Sequence, residues 1–80
     1  MTIQERDKLF FDNRDIIFEL SKQYNPNHYD IDEIIDAGIT GLFNAIDALE
    51  ADPQLMNKDF KSFSLFYIKS SINNYIQENT

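Results

Sequence analysis

Two prolines divide this chain more decisively than any other feature of its sequence. Pro26 sits in Asn25-Pro26-Asn27, and Pro53 follows Asp52. Proline cannot donate the amide hydrogen that a helix interior uses, and it pushes the residue before it out of the helical region, so each one marks a break. Around the breaks lie three stretches whose apolar residues return every three or four positions, the spacing that gathers them on one face of an α-helix. The first spans about residues 3 to 24, with Leu9, Ile16, Ile17, Leu20 and Tyr24, and opens on Thr2 and Glu5 in capping-box spacing. The second opens on Asp30 and Glu33, again in capping-box spacing, and carries Ile31, Ile34, Ile35, Gly38, Leu42, Ile46 and Leu49. Glu50 to Asn57 lacks periodicity and is expected to be a loop. From about Lys58 the pattern resumes with Phe60, Phe63, Ser64, Phe66, Tyr67, Ile68, Ser71, Ile72, Tyr75 and Ile76. The expectation is an all-α fold, a compact three-helix bundle forming one domain over residues 1–80.

A bundle of 80 residues has a small core. With 42% hydrophobic residues, seven Phe and four Tyr, the large aromatics are expected to carry much of the burial. Gly38 and Gly41, both within the second helix, each cost helix propensity relative to alanine. Close approach of another backbone would justify them.

The chain has no cysteine, which excludes disulfides and fits a cytoplasmic protein. Glu5, Arg6, Asp7 and Lys8 precede any apolar run, and the runs Leu9 to Phe11 and Leu65 to Ile68 are far too short to span a bilayer. Neither a signal peptide nor a membrane anchor is expected. An enzyme is not expected either. His28 is the one histidine and lies in a loop without a nucleophile signature. The acids Asp30, Asp32, Glu33 and Asp36 read as partners of a helix dipole, because a calcium loop would need glycine where Ile35 stands. No metal or cofactor is implied.

The formal charge of −7 argues against unaided duplex binding, which relies on Lys and Arg to neutralise phosphates. The charge is unevenly distributed. Residues 1 to 56 hold twelve acids against four bases, whereas residues 57 to 80 hold Lys58, Lys61 and Lys69 against Asp59 and Glu78. Any nucleic-acid contact should come from the last third, with the acidic remainder facing solvent or a basic partner. In that last third, at about 100° per residue, Phe63, Phe66 and Tyr67 share one side of the helix and Ser64, Ile68, Ser71 and Tyr75 another. Rings at helical spacing serve either a buried core or, beside lysines, a surface on which unpaired bases stack.

Three segments carry a family resemblance. Residues 13–24, Asn-Arg-Asp-Ile-Ile-Phe-Glu-Leu-Ser-Lys-Gln-Tyr, resemble the first conserved helix of region two of bacterial sigma factors. Residues 33–46, from Glu33 through Gly38 and Gly41 to Ile46, look like the polymerase-docking helix of that region, including its two glycines. Residues 60–72, Phe-Lys-Ser-Phe-Ser-Leu-Phe-Tyr-Ile-Lys-Ser-Ser-Ile, are similar to the helix that melts and reads the minus-ten promoter element. Their order and spacing agree with the family from about residue 9 to 77.

The resemblance implies a sigma region-two domain that acts in transcription initiation without bond-making chemistry of its own. It implies that Glu33, Asp36, Ala37, Ile39 and Phe43 contact the β′ clamp helices of the RNA polymerase core. It further implies that Phe63, Phe66 and Tyr67 hold unstacked bases of the melted non-template strand, that Lys61 and Lys69 meet phosphates, and that Ser70 and Asn73 face upstream base pairs. The sequence departs from the family where Phe66-Tyr67 replaces a tryptophan pair and where Ser71, Asn73 and Asn74 are neutral at positions that are often basic. It also ends without the helix-turn-helix module that reads the minus-thirty-five element. That pattern suits a domain excised from a longer protein, or one half of a split sigma factor partnered by a second sigma subunit. An anti-sigma factor is a further implied partner. The alternative is a sigma-like protein-interaction module that regulates polymerase without reading DNA.

Overall fold

The computed structural model describes residues 1–24, 28–55 and 59–78, with the Leu55 side chain excepted. Three helices account for most of them: α1 (Ile3–Ser21), α2 (Ile31–Ala51) and α3 (Phe60–Glu78), with a 3-10 turn at Pro53–Leu55. The all-α three-helix architecture expected from the sequence is the one the chain adopts. α2 is the central element, packed most extensively on α3 and less on α1, while α1 and α3 touch least.

The helix ends follow local chemistry. The Thr2 hydroxyl accepts from the Glu5 amide at 3.1 Å and the Glu5 carboxylate accepts from the Thr2 amide at 3.0 Å. These bonds hold the Glu5 carboxyl below its usual range and complete the capping box. α1 stops at Ser21, short of Tyr24. There the Gln23 and Tyr24 amides donate to the Leu20 and Ser21 carbonyls at 3.1 and 3.2 Å, three-residue closures that tighten the chain out of the α-helix.

The second expected capping box does not form. Asp30 caps α2 by accepting from the Asp32 amide at 2.9 Å, but the Glu33 carboxylate takes the Tyr75 hydroxyl of α3 instead. A partner across the interface outcompetes the local backbone. α2 then continues through Glu50 and Ala51, which the sequence pattern had assigned to a loop. α3 begins at Phe60 under a cap the apolar pattern concealed: the Asp59 carboxylate accepts from the Ser62 amide at 2.9 Å. That bond lowers the Asp59 pKa. Lys58, the expected start, and Asn57 lie outside the described residues.

The core overturns one expectation. The aromatics do not carry it: Ile17, Leu20, Ile34, Leu42, Ala45, Ile46, Leu49, Ile68 and Ile72 are buried, and Phe60 is the one ring among them. Phe10, Phe63, Tyr24, Tyr29, Tyr67 and Tyr75 pack around the rim. The reason is how closely the helices approach. A Cβ added to Gly41 would lie 2.6 Å from the Tyr67 carbonyl oxygen and 2.7 Å from the Ile68 Cα, and one added to Gly38 would lie 2.7 Å from Ile17 Cγ2. Gly41 thus meets the backbone of α3, as its helix cost suggests, whereas Gly38 meets the Ile17 side chain of α1 and no backbone. Between backbones this close there is room for Ile, Leu, Ala and the buried Ser64, whose hydroxyl is satisfied by donating to the Lys61 carbonyl at 3.1 Å.

α1 is attached by different means. Arg6 donates to Asp47 at 2.7 Å and approaches Glu50 at 3.4 Å, so its first turns are clamped to the C-terminal half of α2. These contacts push the Arg6 pKa up, chiefly through the Asp47 bond. Beyond them the Phe10 ring stacks on Phe43 with centroids 4.8 Å apart. Buried Asn13 donates back to the Leu9 carbonyl at 2.8 Å, which removes the penalty of burying its amide without a partner.

Candidate functional site

The outward side of α3 is set by what its inward side requires. Phe60, Ser64, Ile68 and Ile72 recur every four residues and face α2, so residues half a turn away must point to solvent. Phe66 is at the centre of that outer face and is 69% exposed. Phe63 and Tyr67 bank it on one flank, both half-buried. The Phe66 ring stands edge-on to Tyr67 at 5.7 Å, and Tyr67 lies 5.2 Å from Phe63. Ser70, half-buried, and Asn73, exposed, continue the same face toward the C-terminus, and exposed Lys69 lies at its edge. Five of the seven residues assigned to promoter contact thus share one surface, with a sixth beside them.

Lys61 is the exception. It projects roughly 140° around the helix from Phe66, toward α1, where its ammonium donates to the Asp12 carbonyl at 3.1 Å and to Asp15 at 3.3 Å. Its charge joins α3 to α1 and is unavailable to a phosphate placed over Phe66. Helical spacing alone turns Lys61 away from Phe66, but its partners Asp12 and Asp15 lie more than forty positions away and leave no local signal.

The α2 residues assigned to polymerase divide in a similar way. Asp36 is fully on the outer face and Phe43 is 40% exposed, its other side covered by Phe10. Ala37 and Ile39 are half-buried and pack against the core, so they widen the apolar stripe more than they project from it. Glu33 is exposed but its carboxylate is engaged by Tyr75. This bond, first among several causes, pushes the Tyr75 phenol up to about 12. The outer face of α2 therefore offers one acid, Asp36, and one partly covered ring, Phe43, as its accessible members of the set.

No family model, curated protein or solved structure matches the chain.

An exposed aromatic ring flanked by two others and by amide and hydroxyl groups can stack on a flat apolar or aromatic partner while the polar groups fix its orientation. It carries little positive charge, since Lys69 is the described lysine at its edge and Lys61 is engaged. Among the described residues no group of three or more His, Cys, Asp and Glu side chains could hold a metal. His28 is exposed in its loop with its ring 6.4 Å from that of Tyr29. A shallow hollow of about 350 Å³ lies between α1 and the end of α2, floored by Met1, Leu9 and Leu49, apart from both surfaces. No helix among the described residues is long and apolar enough to cross a membrane.

The resemblance assigned no contact to the outer side of α1. Phe11 and Phe18 are 57% and 48% exposed on its outer side, and the Arg14 guanidinium lies 5.0 Å from the Phe11 ring centroid. The signal was present in the sequence as a second apolar spacing, Ile3, Phe10, Phe11 and Phe18, beside the inner one.

Proposed function

We propose that this chain is a sigma region-two-like module that docks on RNA polymerase through the outer face of α2 and holds the melted non-template strand of a promoter against the outer face of α3. The observation that carries the reading is the exposure of Phe66 at the centre of α3, with Phe63 and Tyr67 beside it and Ser70 and Asn73 on the same face. A ring exposed this far contributes little to the core, whereas stacking on an unpaired base contributes roughly 1–3 kcal/mol. Asp36 and Phe43 supply the charge and the apolar anchor for a basic, partly apolar helical target.

In this reading the module does not bind duplex DNA unaided. Its net charge is −7 and Lys61 is tied to Asp15, so phosphate attraction has to come from the polymerase or from a second sigma subunit. A binding titration of the isolated chain with random duplex at physiological salt is expected to show no measurable affinity.

The decisive experiment compares wild type, Phe66→Ala and Asp36→Lys in a core-polymerase pull-down and in open-complex formation. Phe66→Ala is expected to keep core binding and lose open complexes on a closed promoter, with partial recovery on a premelted one. Asp36→Lys is expected to lose both activities. The engaged Lys61 favours a second reading, a protein-interaction module that occupies the clamp without touching DNA or serves as the target of an anti-sigma factor. Core binding with open-complex formation indifferent to Phe66→Ala would establish that reading over the first.

A further inference from the structure

α1 is apolar on two sides. Its inner side, with Leu9, Ile16, Ile17 and Leu20, faces the core. Its outer side carries Ile3, 75% exposed, with Phe11 and Phe18 also exposed and Phe10 half-buried beside them. Asp7 and Arg14, both exposed, fall within the same stripe. At 100° per residue these six side chains occupy an arc of about 100°, the width of a stripe that packs against another helix. Phe10 and Phe11 meet edge to face at 6.0 Å, and Phe10 stacks on Phe43, so the stripe continues onto α2 as an aromatic cluster.

The order of residues along the stripe has a two-fold character. Ile3 and Phe18, Asp7 and Arg14, and Phe10 and Phe11 are three pairs centred on one point between residues 10 and 11. A second copy of α1 laid antiparallel across that point sets each residue opposite its mate. Ile3 meets Phe18, Phe10 meets Phe11, and Asp7 meets Arg14 twice, once on each side of the axis. A parallel pairing would instead oppose Asp7 to Asp7 and Arg14 to Arg14. Self-complementarity of this kind is what an isologous two-fold interface requires.

We propose that the outer face of α1 is a self-association surface on which two copies of this chain pair antiparallel, with Phe10, Phe11 and Phe43 at the centre and the Asp7–Arg14 pairs on either side. In the pair, Arg14 keeps its place over Phe11 and gains the partner copy's carboxylate. The like charge of the two copies opposes association at long range. At physiological ionic strength, where screening acts over about 8 Å, that repulsion is damped more than the contact pairs are. The surface is a single helix with a few flanking rings, so the dimer is reversible, with a Kd on the order of 10–100 µM. Phe43 also belongs to the proposed docking face of α2, so pairing and docking on α2 compete for that ring, whereas the outer face of α3 stays open in the pair.

Sedimentation equilibrium on the full chain at 0.15 M salt, a condition chosen for its screening, tests the pairing. Asp7→Arg and Arg14→Asp each place like charges opposite one another and are expected to weaken the dimer by about fivefold or more. An equimolar mixture of these two variants makes both cross-pairs attractive again and is expected to associate at least as well as wild type. Phe11→Ala is expected to weaken association by about tenfold or more. Because all three positions are exposed, thermal unfolding of the variants should match wild type at concentrations of about 1 µM, where the wild type too is monomeric, which separates lost pairing from lost folding. A wild-type chain that stays monomeric up to about 1 mM would leave the face to a different protein and overturn the proposal. A mixture no stronger than either variant alone would overturn it too.

Discussion

α2 meets its two neighbours in contrasting ways. Against α3 the backbones approach until Gly41 faces the Tyr67 carbonyl and the Ile68 Cα directly, and the intervening space is filled by Ile, Leu, Ala and Ser. Against α1 the contact is made by side chains: Ile17 over Gly38, Phe10 stacked on Phe43, and Arg6 held between Asp47 and Glu50. A backbone-to-backbone contact admits no substitution larger than hydrogen, because peptide groups cannot swing aside. A side-chain contact can adjust. The difference explains where the aromatics went. The close interface leaves little room for rings at its centre, so all but Phe60 sit at its rim, on the looser α1 side or on the outer surfaces.

The largest expected effect tests the closeness of the α2–α3 contact. Gly41→Ala forces a methyl against backbone, an overpacking cost of roughly 2–3 kcal/mol that exceeds the roughly 1 kcal/mol gained in helix propensity. Thermal denaturation should show a fall of about 5–15 °C. Gly38→Ala meets the Cγ2 methyl of buried, β-branched Ile17, which has little rotamer freedom, so it too is expected to destabilise, by a net of about 1 kcal/mol, less than Gly41→Ala because one side chain and no backbone opposes it. Equal losses at the two glycines would break the contrast.

Tyr75→Phe sharpens it from the α2–α3 side by removing the hydroxyl bond to Glu33. The phenol is pushed up to about 12 in the folded chain from its ordinary value of 10.0. Its contribution is therefore fully present below pH 10 and is lost as pH rises toward 12. Wild type is expected to melt a few degrees above the variant at pH 8, and the gap to close across that alkaline window. A gap unchanged to pH 12 would mean that Glu33 does not hold the phenol in its neutral form.

The smallest effect belongs to the ionic clamp on α1. Arg6→Gln is expected to lower the melting temperature by no more than about 3 °C at low salt and less at high salt, since exposed partners and screening limit such pairs. A loss rivalling that of Gly41→Ala would place the main attachment of α1 in its charges instead of its packing.

The residues at the candidate sites were partly legible beforehand. The separation of α3 into a Phe63–Phe66–Tyr67 side and a Ser64–Ile68–Ser71 side follows from helical spacing, but both sides were apolar enough to be core. Exposure chose between them only because Gly41 and Ala45 admit a close neighbour and Ser64 fits beneath it. Lys61 illustrates the limit in another way. The resemblance implied a phosphate contact there, yet its ammonium reaches Asp12 and Asp15 on α1. The outer stripe of α1 is masked in the sequence by the inner stripe, which is enough by itself to specify a helix.

By itself the sequence determined the three helices to within a turn at their ends, the Thr2 cap and the need for a close neighbour at the glycines, because capping and periodicity act over a few residues. Tertiary structure alone decided that the core is aliphatic, that Glu33 leaves its cap for Tyr75 and that Phe66 faces outward. Those outcomes depend on which side chains and backbones from distant parts of the chain compete for the same space, and local spacing holds no record of that competition.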